Sequence, residues 1–122
     1  MYKLTVESGF SAAHRLINYP GACSNLHGHN WKVKLTISSG ELDEAGMVID
    51  LMELKNYLDE CLQQFDHHLI NKVEPFDAIN PTSENLARFI YEWIGDRLPE
   101  KISIETVQVL ETENFSVSYS AE

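Results

Sequence analysis

The sequence predicts an α+β fold in which a four-stranded antiparallel sheet carries two helices on one face, in the order ββααββ. Apolar and polar residues alternate near both ends of the 122-residue chain, as they do in half-buried strands. Two segments in the middle instead carry apolar residues three or four positions apart, which is typical of amphipathic helices. Two hairpins therefore flank two helices.

The first two predicted strands cover residues 2–10 and about 27–39. In the first strand the apolar residues on one face are Tyr2, Leu4, Val6 and Phe10. In the second strand the apolar residues in phase with two histidines, His27 and His29, are Trp31, Val33, Leu35 and Ile37. Residues 15–26 contain asparagine, proline and glycine and are predicted to form a loop.

The first helix is predicted over about 51–65, with Asp50 as its N-cap and Glu53 at the capping-box position. Cys61 lies beside the apolar stripe of this helix and is predicted to be a small buried hydrophobic residue. The second helix is predicted to begin with Thr82 or Ser83 as cap and to end before Pro99.

The last two strands follow the second helix. Ile102 and Ile104 share one parity, whereas Val107 and Val109 share the other. A bulge near residues 105–106, or a segment covered on both faces, accounts for this change of parity. A turn over residues 111–114 leads to a final short strand over residues 115–119.

Length and charge limit the classes of function. The chain, with 43% hydrophobic residues, fits one domain over residues 1–122. A formal net charge of −10 argues against nucleic acid or an anionic membrane as the partner, because both need a basic surface. Two cysteines, no apolar N-terminal signal and no membrane-length apolar run predict a cytoplasmic protein. Because a four-stranded sheet has two open edges, we expect a homo-oligomer that joins sheets edge to edge.

A candidate metal site begins at His27-Gly28-His29. Side chains at positions i and i+2 of a strand point to the same face, so both imidazoles can reach one ion. If the first two strands pair antiparallel, His14 lies beside them. Three imidazoles with one open position are typical of a catalytic zinc site. The alternative is three surface or loop histidines that never meet.

Three residues are candidates for proton transfer. A thiolate beside a metal and a histidine can act as a base or nucleophile, although Cys23 taken alone is more simply a loop thiol. Asp66 precedes His67 where the chain turns, and a carboxylate there can fix the tautomer of an imidazole. The simpler alternative for His67 is a histidine at a helix C-terminus, which the helix dipole favours.

Glu111 is a candidate for binding a substrate, because a buried carboxylate can accept two parallel N–H bonds from a guanidine-like ring edge. A solvated charge at a turn is the commoner case. An anionic substrate would need local positive charge, and the basic residues near the metal motif are Arg15, Lys32 and Lys34.

Five motifs together resemble the 6-pyruvoyltetrahydropterin synthase / 6-carboxytetrahydropterin synthase family. They are Phe10-Ser-Ala-Ala-His14, Cys23-x-x-x-His27-Gly-His29, Asp66-His67-His68, Pro81-Thr-Ser-Glu-Asn85 and Glu111-Thr-Glu-Asn114. The resemblance implies the tunnelling fold (T-fold), in which trimers close a barrel of strands and two trimers usually stack. It also implies active sites between subunits.

The resemblance implies a role for each candidate residue. The positions that match the family's zinc ligands are His14, His27 and His29. Cys23 matches the general base, and Asp66 with His67 matches the pair that completes the proton-transfer set. Glu111 matches the carboxylate that anchors the pterin ring, and Thr82 and Ser83 match a segment that touches the pterin.

The three-residue gap between Cys23 and His27 resembles the 6-carboxytetrahydropterin synthases of the 7-deazaguanine (queuosine precursor) pathway. That resemblance implies 7,8-dihydroneopterin triphosphate as substrate, and 6-carboxy-5,6,7,8-tetrahydropterin, acetaldehyde and triphosphate as products. A pyruvoyl-forming synthase, which has a longer gap, is the nearest alternative. A cupin-like metal enzyme fits the two helices poorly, and a non-catalytic zinc-dependent assembly protein would need neither Cys23 nor the pair Asp66–His67.

Overall fold

The computed structural model describes residues 1–121 and confirms the predicted order of elements. The strands are β1 (Tyr2–His14), β2 (His27–Ser39), β3 (Ser103–Leu110) and β4 (Ser116–Tyr119), and the helices are α1 (Leu51–Leu62) and α2 (Ser83–Gly95). Two short 3₁₀ helices, Ala22–Ser24 and Ile70–Lys72, lie in the loops. The strands form one antiparallel sheet in the order β1-β2-β3-β4.

The core lies between one face of the sheet and both helices. Buried and more exposed residues alternate along β1 and along β2 as far as Ile37, so each strand gives one face to the core. The buried residues of the sheet form a single cluster with those of α1 and α2. Within this cluster the rings of Phe10 and Trp31, which are partners across β1 and β2, stack with centroids 5.7 Å apart.

Strand β1 continues to His14, four residues beyond the predicted end at Phe10. The alternation persists through small side chains, since Ala12 and His14 are buried in phase with Phe10. Strand β2 has the predicted bounds. The register places His14 directly opposite His27, and Ala12 opposite His29, so the ends of both strands bring the histidines to one face.

Both helices begin at the predicted caps and end earlier than predicted. The carboxylate of Asp50 accepts a hydrogen bond from the amide of Met52, and the hydroxyl of Thr82 accepts one from the amide of Asn85. Helix α1 ends at Leu62, although Phe65, in the turns that follow, is still fully buried. Helix α2 ends at Gly95, also before the predicted end.

The predicted bulge is present in β3. Thr36 pairs with Thr106 and Ile37 pairs with Ile104, so Glu105 is the extra residue that changes the parity of the strand. Strand β3 pairs with β2 as far as Leu110, which lies opposite Lys32. Glu111 follows at the end of β3, beside the histidine end of β2. Among residues 1–121, neither helix has the length and apolar character needed to cross a membrane.

Candidate metal centre and active site

Three histidines meet at the end of the β1–β2 hairpin, as the sequence predicts. The ring centroids of His14 and His27 are 4.6 Å apart, and those of His27 and His29 are 4.8 Å apart. Together with Glu111, each residue offers one ligand atom, and all four atoms lie within 4.8 Å of one another. The alternative in which the histidines never meet is therefore wrong for this structure.

Backbone carbonyl groups orient two of the imidazoles. His14 donates its Nδ1–H to the carbonyl oxygen of Pro81 at 2.8 Å, and His27 donates its Nδ1–H to the carbonyl oxygen of Asn25 at 2.7 Å. Each bond leaves Nε2 of that ring as an acceptor with a free lone pair. Such bonds fix the tautomer and direction of histidines that bind metals.

Glu111 faces these histidines from the end of β3. Its Oε1 atom lies 2.9 Å from Nε2 of His29 and 3.3 Å from Nε2 of His14. The second oxygen, Oε2, accepts a hydrogen bond from the hydroxyl of Ser83 at 3.4 Å. The predicted substrate-binding carboxylate thus lies at the histidine cluster itself, a proximity that sequence spacing does not reveal.

The electrostatics of the cluster suit a cation. The Nε2 atoms of His14 and His29 are buried and make no hydrogen bond of good geometry within residues 1–121. Burial lowers the pKa of both histidines below the usual range, and the nearby carboxylate of Glu111 only partly opposes this effect. Both rings therefore favour the neutral form, which is the form that binds metals.

The donor set also fits a metal. Zinc binds imidazole nitrogens and carboxylate oxygens, and three imidazoles with one open position are typical of a catalytic zinc site. The Nε2 acceptor of His14 and the carboxylate of Glu111 face each other across 3.3 Å, and a cation between such groups would relieve the repulsion of their lone pairs. These residues could therefore hold a metal ion.

Asp66 and His67 form the predicted pair. Nδ1 of His67 lies 3.0 Å from Oδ1 of Asp66, and the same oxygen accepts a hydrogen bond from the amide of Ser11 at 2.9 Å. The bond from Ser11 lowers the pKa of Asp66, with a further contribution from His67. The side chain of His67 is 83% exposed, so its imidazole is open to a substrate or to another subunit.

Cys23 lies apart from the cluster. It is an exposed free thiol in the 3₁₀ helix Ala22–Ser24, and it is not among the described residues whose ligand atoms converge with His14. Its carbonyl oxygen accepts a hydrogen bond from the amide of Leu16 at 2.8 Å. The structure of one chain does not bring Cys23 together with Asp66 and His67, and the roles of these three residues stay predictions.

Residues at the start of α2 and just before it support the cluster. Pro81 supplies the carbonyl that orients His14, and Ser83 contacts Glu111. Thr82 uses its hydroxyl to cap α2, and a contact of Thr82 with substrate stays a prediction. The family resemblance pointed to Ser83. The carbonyl groups of Asn25 and Pro81 had no sequence signal, because every residue has a carbonyl group.

A groove of about 520 Å³ opens beside the cluster, between the start of β2 and the turn that follows β3. His29, Lys32 and Glu111 are among the residues that line it. Of the three basic residues considered above, Lys32 is thus the one that lines this groove. Its amino group lies 3.2 Å from a carboxylate oxygen of Glu7.

Comparisons with known proteins identify the family to which this chain is similar. A model of the family described as 6-pyruvoyl tetrahydropterin synthase matches residues 3–122. The chain is 36% identical over 109 residues to a protein of Archaeoglobus fulgidus named putative 6-carboxy-5,6,7,8-tetrahydropterin synthase, covering 89% of this chain and 87% of that protein. It is 38% identical over 128 residues to the human 6-pyruvoyl tetrahydrobiopterin synthase, covering 93% and 87% of the two chains.

Comparison with solved structures finds proteins of the same family. The structure of Caenorhabditis elegans 6-pyruvoyl tetrahydropterin synthase is similar with a TM-score of 0.83 at 33% identity, covering 100% of this chain and 98% of that one. The four-stranded antiparallel sheet and its two helices are therefore those of the T-fold. With the family model and these relatives matching nearly the whole chain, the protein belongs to the 6-pyruvoyl tetrahydropterin synthase family.

Proposed function

We propose that this protein is a zinc-dependent 6-carboxy-5,6,7,8-tetrahydropterin synthase of 7-deazaguanine (queuosine) biosynthesis. Its substrate would be 7,8-dihydroneopterin triphosphate, and its products would be 6-carboxytetrahydropterin, acetaldehyde and triphosphate. The observation that carries the proposal is the convergence of His14, His27, His29 and Glu111 in a chain of this family. The three-residue gap between Cys23 and His27 supports the carboxy-forming branch.

The metal site of the proposal consists of His14, His27 and His29. When bound there, zinc would act as a Lewis acid that polarises the side-chain hydroxyls of the substrate. The carbonyl groups of Pro81 and Asn25 keep two of the imidazoles in the ligating tautomer.

Glu111 would anchor the pterin ring by accepting N–H bonds from its guanidine-like edge. The hydroxyl of Ser83, which donates to Oε2 of Glu111, would hold the carboxylate in orientation. Thr82 would contact the pterin from the start of α2. Lys32, at the groove beside Glu111, would offset the negative charge of the triphosphate.

Cys23 and His67 would move the protons. The thiolate of Cys23 would accept a proton from a side-chain carbon of the substrate, and His67 would carry the matching proton on its imidazole. Asp66, 3.0 Å from Nδ1 of His67, would fix the tautomer and stabilise the charged ring. We further propose a trimer or a dimer of trimers joined through the open edges of β1 and β4, with Cys23 and the pair Asp66–His67 contributed by different subunits.

A pyruvoyl-forming synthase is the second candidate, because the human relative at 38% identity is named for a 6-pyruvoyl activity. Mass spectrometry of the products would decide between them, with zinc-loaded protein and 7,8-dihydroneopterin triphosphate. A carboxypterin with acetaldehyde supports the proposal, and a pyruvoyl product would assign the protein to the other branch. Absence of turnover by a protein with bound zinc would argue for a binding protein.

Two variants test the assigned residues. Cys23→Ala should keep its zinc and lose roughly 10²–10⁴-fold in kcat, the usual contribution of an acid–base group. His27→Ala should lose both zinc and activity. Full activity of Cys23→Ala would remove the thiol from the mechanism, and full activity of a metal-free protein would refute the role of zinc.

A further inference from the structure

Near its C-terminal end, the edge of β1 that faces away from β2 is hydrogen-bonded to the segment that carries Asp66 and His67. The amide of Ser11 donates to Oδ1 of Asp66, and the carbonyl of Ser11 accepts a hydrogen bond from the amide of His67 at 2.6 Å. Two residues further on, the amide of Ala13 donates to the carbonyl of His68 at 3.2 Å. Alternate residues of β1 thus bind the turn at residues 66–68, as they would bind a neighbouring strand.

Two asparagine side chains continue this pattern beyond the end of β1. The amide group of Asn71 accepts from the N–H of Arg15 at 2.9 Å and donates to the C=O of Arg15 at 2.9 Å. The side-chain amide of Asn80 accepts from the N–H of Ile17 at 2.8 Å and donates to the C=O of Ile17 at 3.3 Å. A primary amide has one acceptor oxygen and a donor N–H beside it, so each side chain satisfies both backbone groups of one residue.

Arg15 and Ile17, which the two asparagine side chains bind, lie on either side of the residue that is hydrogen-bonded to Cys23. Leu16 lies between Arg15 and Ile17, and its amide donates to the carbonyl of Cys23 at 2.8 Å. Fixing the backbone on both sides of Leu16 fixes the direction of this bond. The two asparagine amides are thus linked to the 3₁₀ helix that carries Cys23 through the backbone of a single intervening residue.

We propose that Asn71 and Asn80 are positioning residues for Cys23, which they hold through the backbone of residues 15–17. The proposal rests on the proposed function only in treating Cys23 as the proton-transferring thiol. The same stretch of chain also holds the other predicted proton-transfer residues, because the edge of β1 just before residues 15–17 is hydrogen-bonded to Asp66 and His67. Neither asparagine belongs to the buried core, so their loss should change placement more than folding.

The test compares Asn71→Ala and Asn80→Ala with the parent as zinc-loaded proteins. Asn56→Ala, on the exposed side of α1, is the matched control. The first readout is the rate of alkylation of Cys23 by iodoacetamide between pH 6 and 9, followed by mass spectrometry with Cys23→Ala as background. The second is the separation of kcat from KM, and the third is zinc content.

We expect the alkylation profile to change severalfold in both variants, and kcat to fall about 10- to 100-fold, as it does when a reacting group is misplaced by about 1 Å. KM, zinc content and melting temperature should stay close to those of Asn56→Ala. Asn71→Asp and Asn80→Asp keep the size and the acceptor but place an oxygen against the backbone carbonyl. They should show the same direction of change, and they carry the test if the alanine variants do not fold.

Two outcomes would overturn the proposal. One is an alkylation profile and kcat equal to those of Asn56→Ala. The other is a lower kcat with the alkylation profile of the parent, because the amides would then act on something other than Cys23. If Cys23→Ala itself keeps full activity, the proposed base is wrong, whereas a changed alkylation profile in Asn71→Ala still supports the positioning role.

Discussion

Adding zinc to the metal-free protein should raise its melting temperature by on the order of 10 °C. Within residues 1–121 the Nε2 atoms of His14 and His29 are buried and make no hydrogen bond of good geometry, and a buried polar atom left without a partner costs about 1–3 kcal/mol. A cation that binds only the folded state adds about 2.7 kcal/mol of stability at 100 times its dissociation constant. For a chain of this length, 1 kcal/mol corresponds to about 3–5 °C.

The assay is a pair of thermal unfolding scans at pH 7.5, one with a chelator and one with a small excess of zinc. His27→Ala should lose the response to zinc, because it removes one of the converging ligand atoms. The matched control is His68→Ala, since His68 is exposed and lies outside the cluster. An equal rise in His27→Ala, or no rise in the parent, would refute the assignment of the metal site.

Three further predictions follow from burial and close contact. The metal-free protein should lose stability as the pH falls below about 6.5, because burial lowers the pKa of His14 and His29 and the unfolded chain takes up protons first. Urea midpoints at pH 7.5 and 5.5 measure this loss, and an equal loss in a variant lacking both histidines would contradict it. Burial raises the pKa of Cys61 to about 12, so thiol reagents should label only Cys23 in the folded chain. Equal labelling of Cys23 and Cys61 would contradict the burial of Cys61 in the core. Gly9→Ala should lower the free energy of unfolding by about 1–3 kcal/mol, because the new Cβ would lie 2.7 Å from a carbonyl oxygen of β2. Gly28→Ala, whose new Cβ would have its nearest contact at 3.7 Å, should lower it less, and urea unfolding measures both variants.

The sheet could be predicted closely because its signal is local. Apolar and polar residues alternate along most of β2, so its bounds were predictable. The change of parity at residues 102–109 indicated a bulge near residues 105–106 or cover on both faces, and the structure has the bulge at Glu105. The end of β1 was missed because Ser11, Ala12 and Ala13 have weak preferences for strands. Phe65 was assigned to α1 because a buried aromatic residue in helical phase gives the same pattern whether or not the helix continues to it.

The site was predictable where it depends on one hairpin. The spacing of His27 and His29 and an antiparallel partner strand suffice to bring in His14. The contact of Glu111 with two histidines depends on where β3 ends beside β2, after two intervening helices. The amide clamps at Asn71 and Asn80 depend on irregular backbone, for which neither periodicity nor turn preference gives the geometry.

Overall sequence identity does not indicate which product this chain forms. The chain is 36% identical to a relative named as a putative 6-carboxytetrahydropterin synthase and 38% identical to one named as a 6-pyruvoyl synthase. Features of the loop before His27 are therefore better candidates for what determines the product. Four residue steps join Cys23 to His27, so their Cα atoms are at most about 14 Å apart. We expect an insertion of three glycines after Ser24 to alter the ratio of carboxy to pyruvoyl products, because it frees the thiol. Zinc content should not change, because the β1–β2 register still holds His27 opposite His14. Loss of zinc with an unchanged product ratio would show that the loop serves the metal site rather than the choice of product.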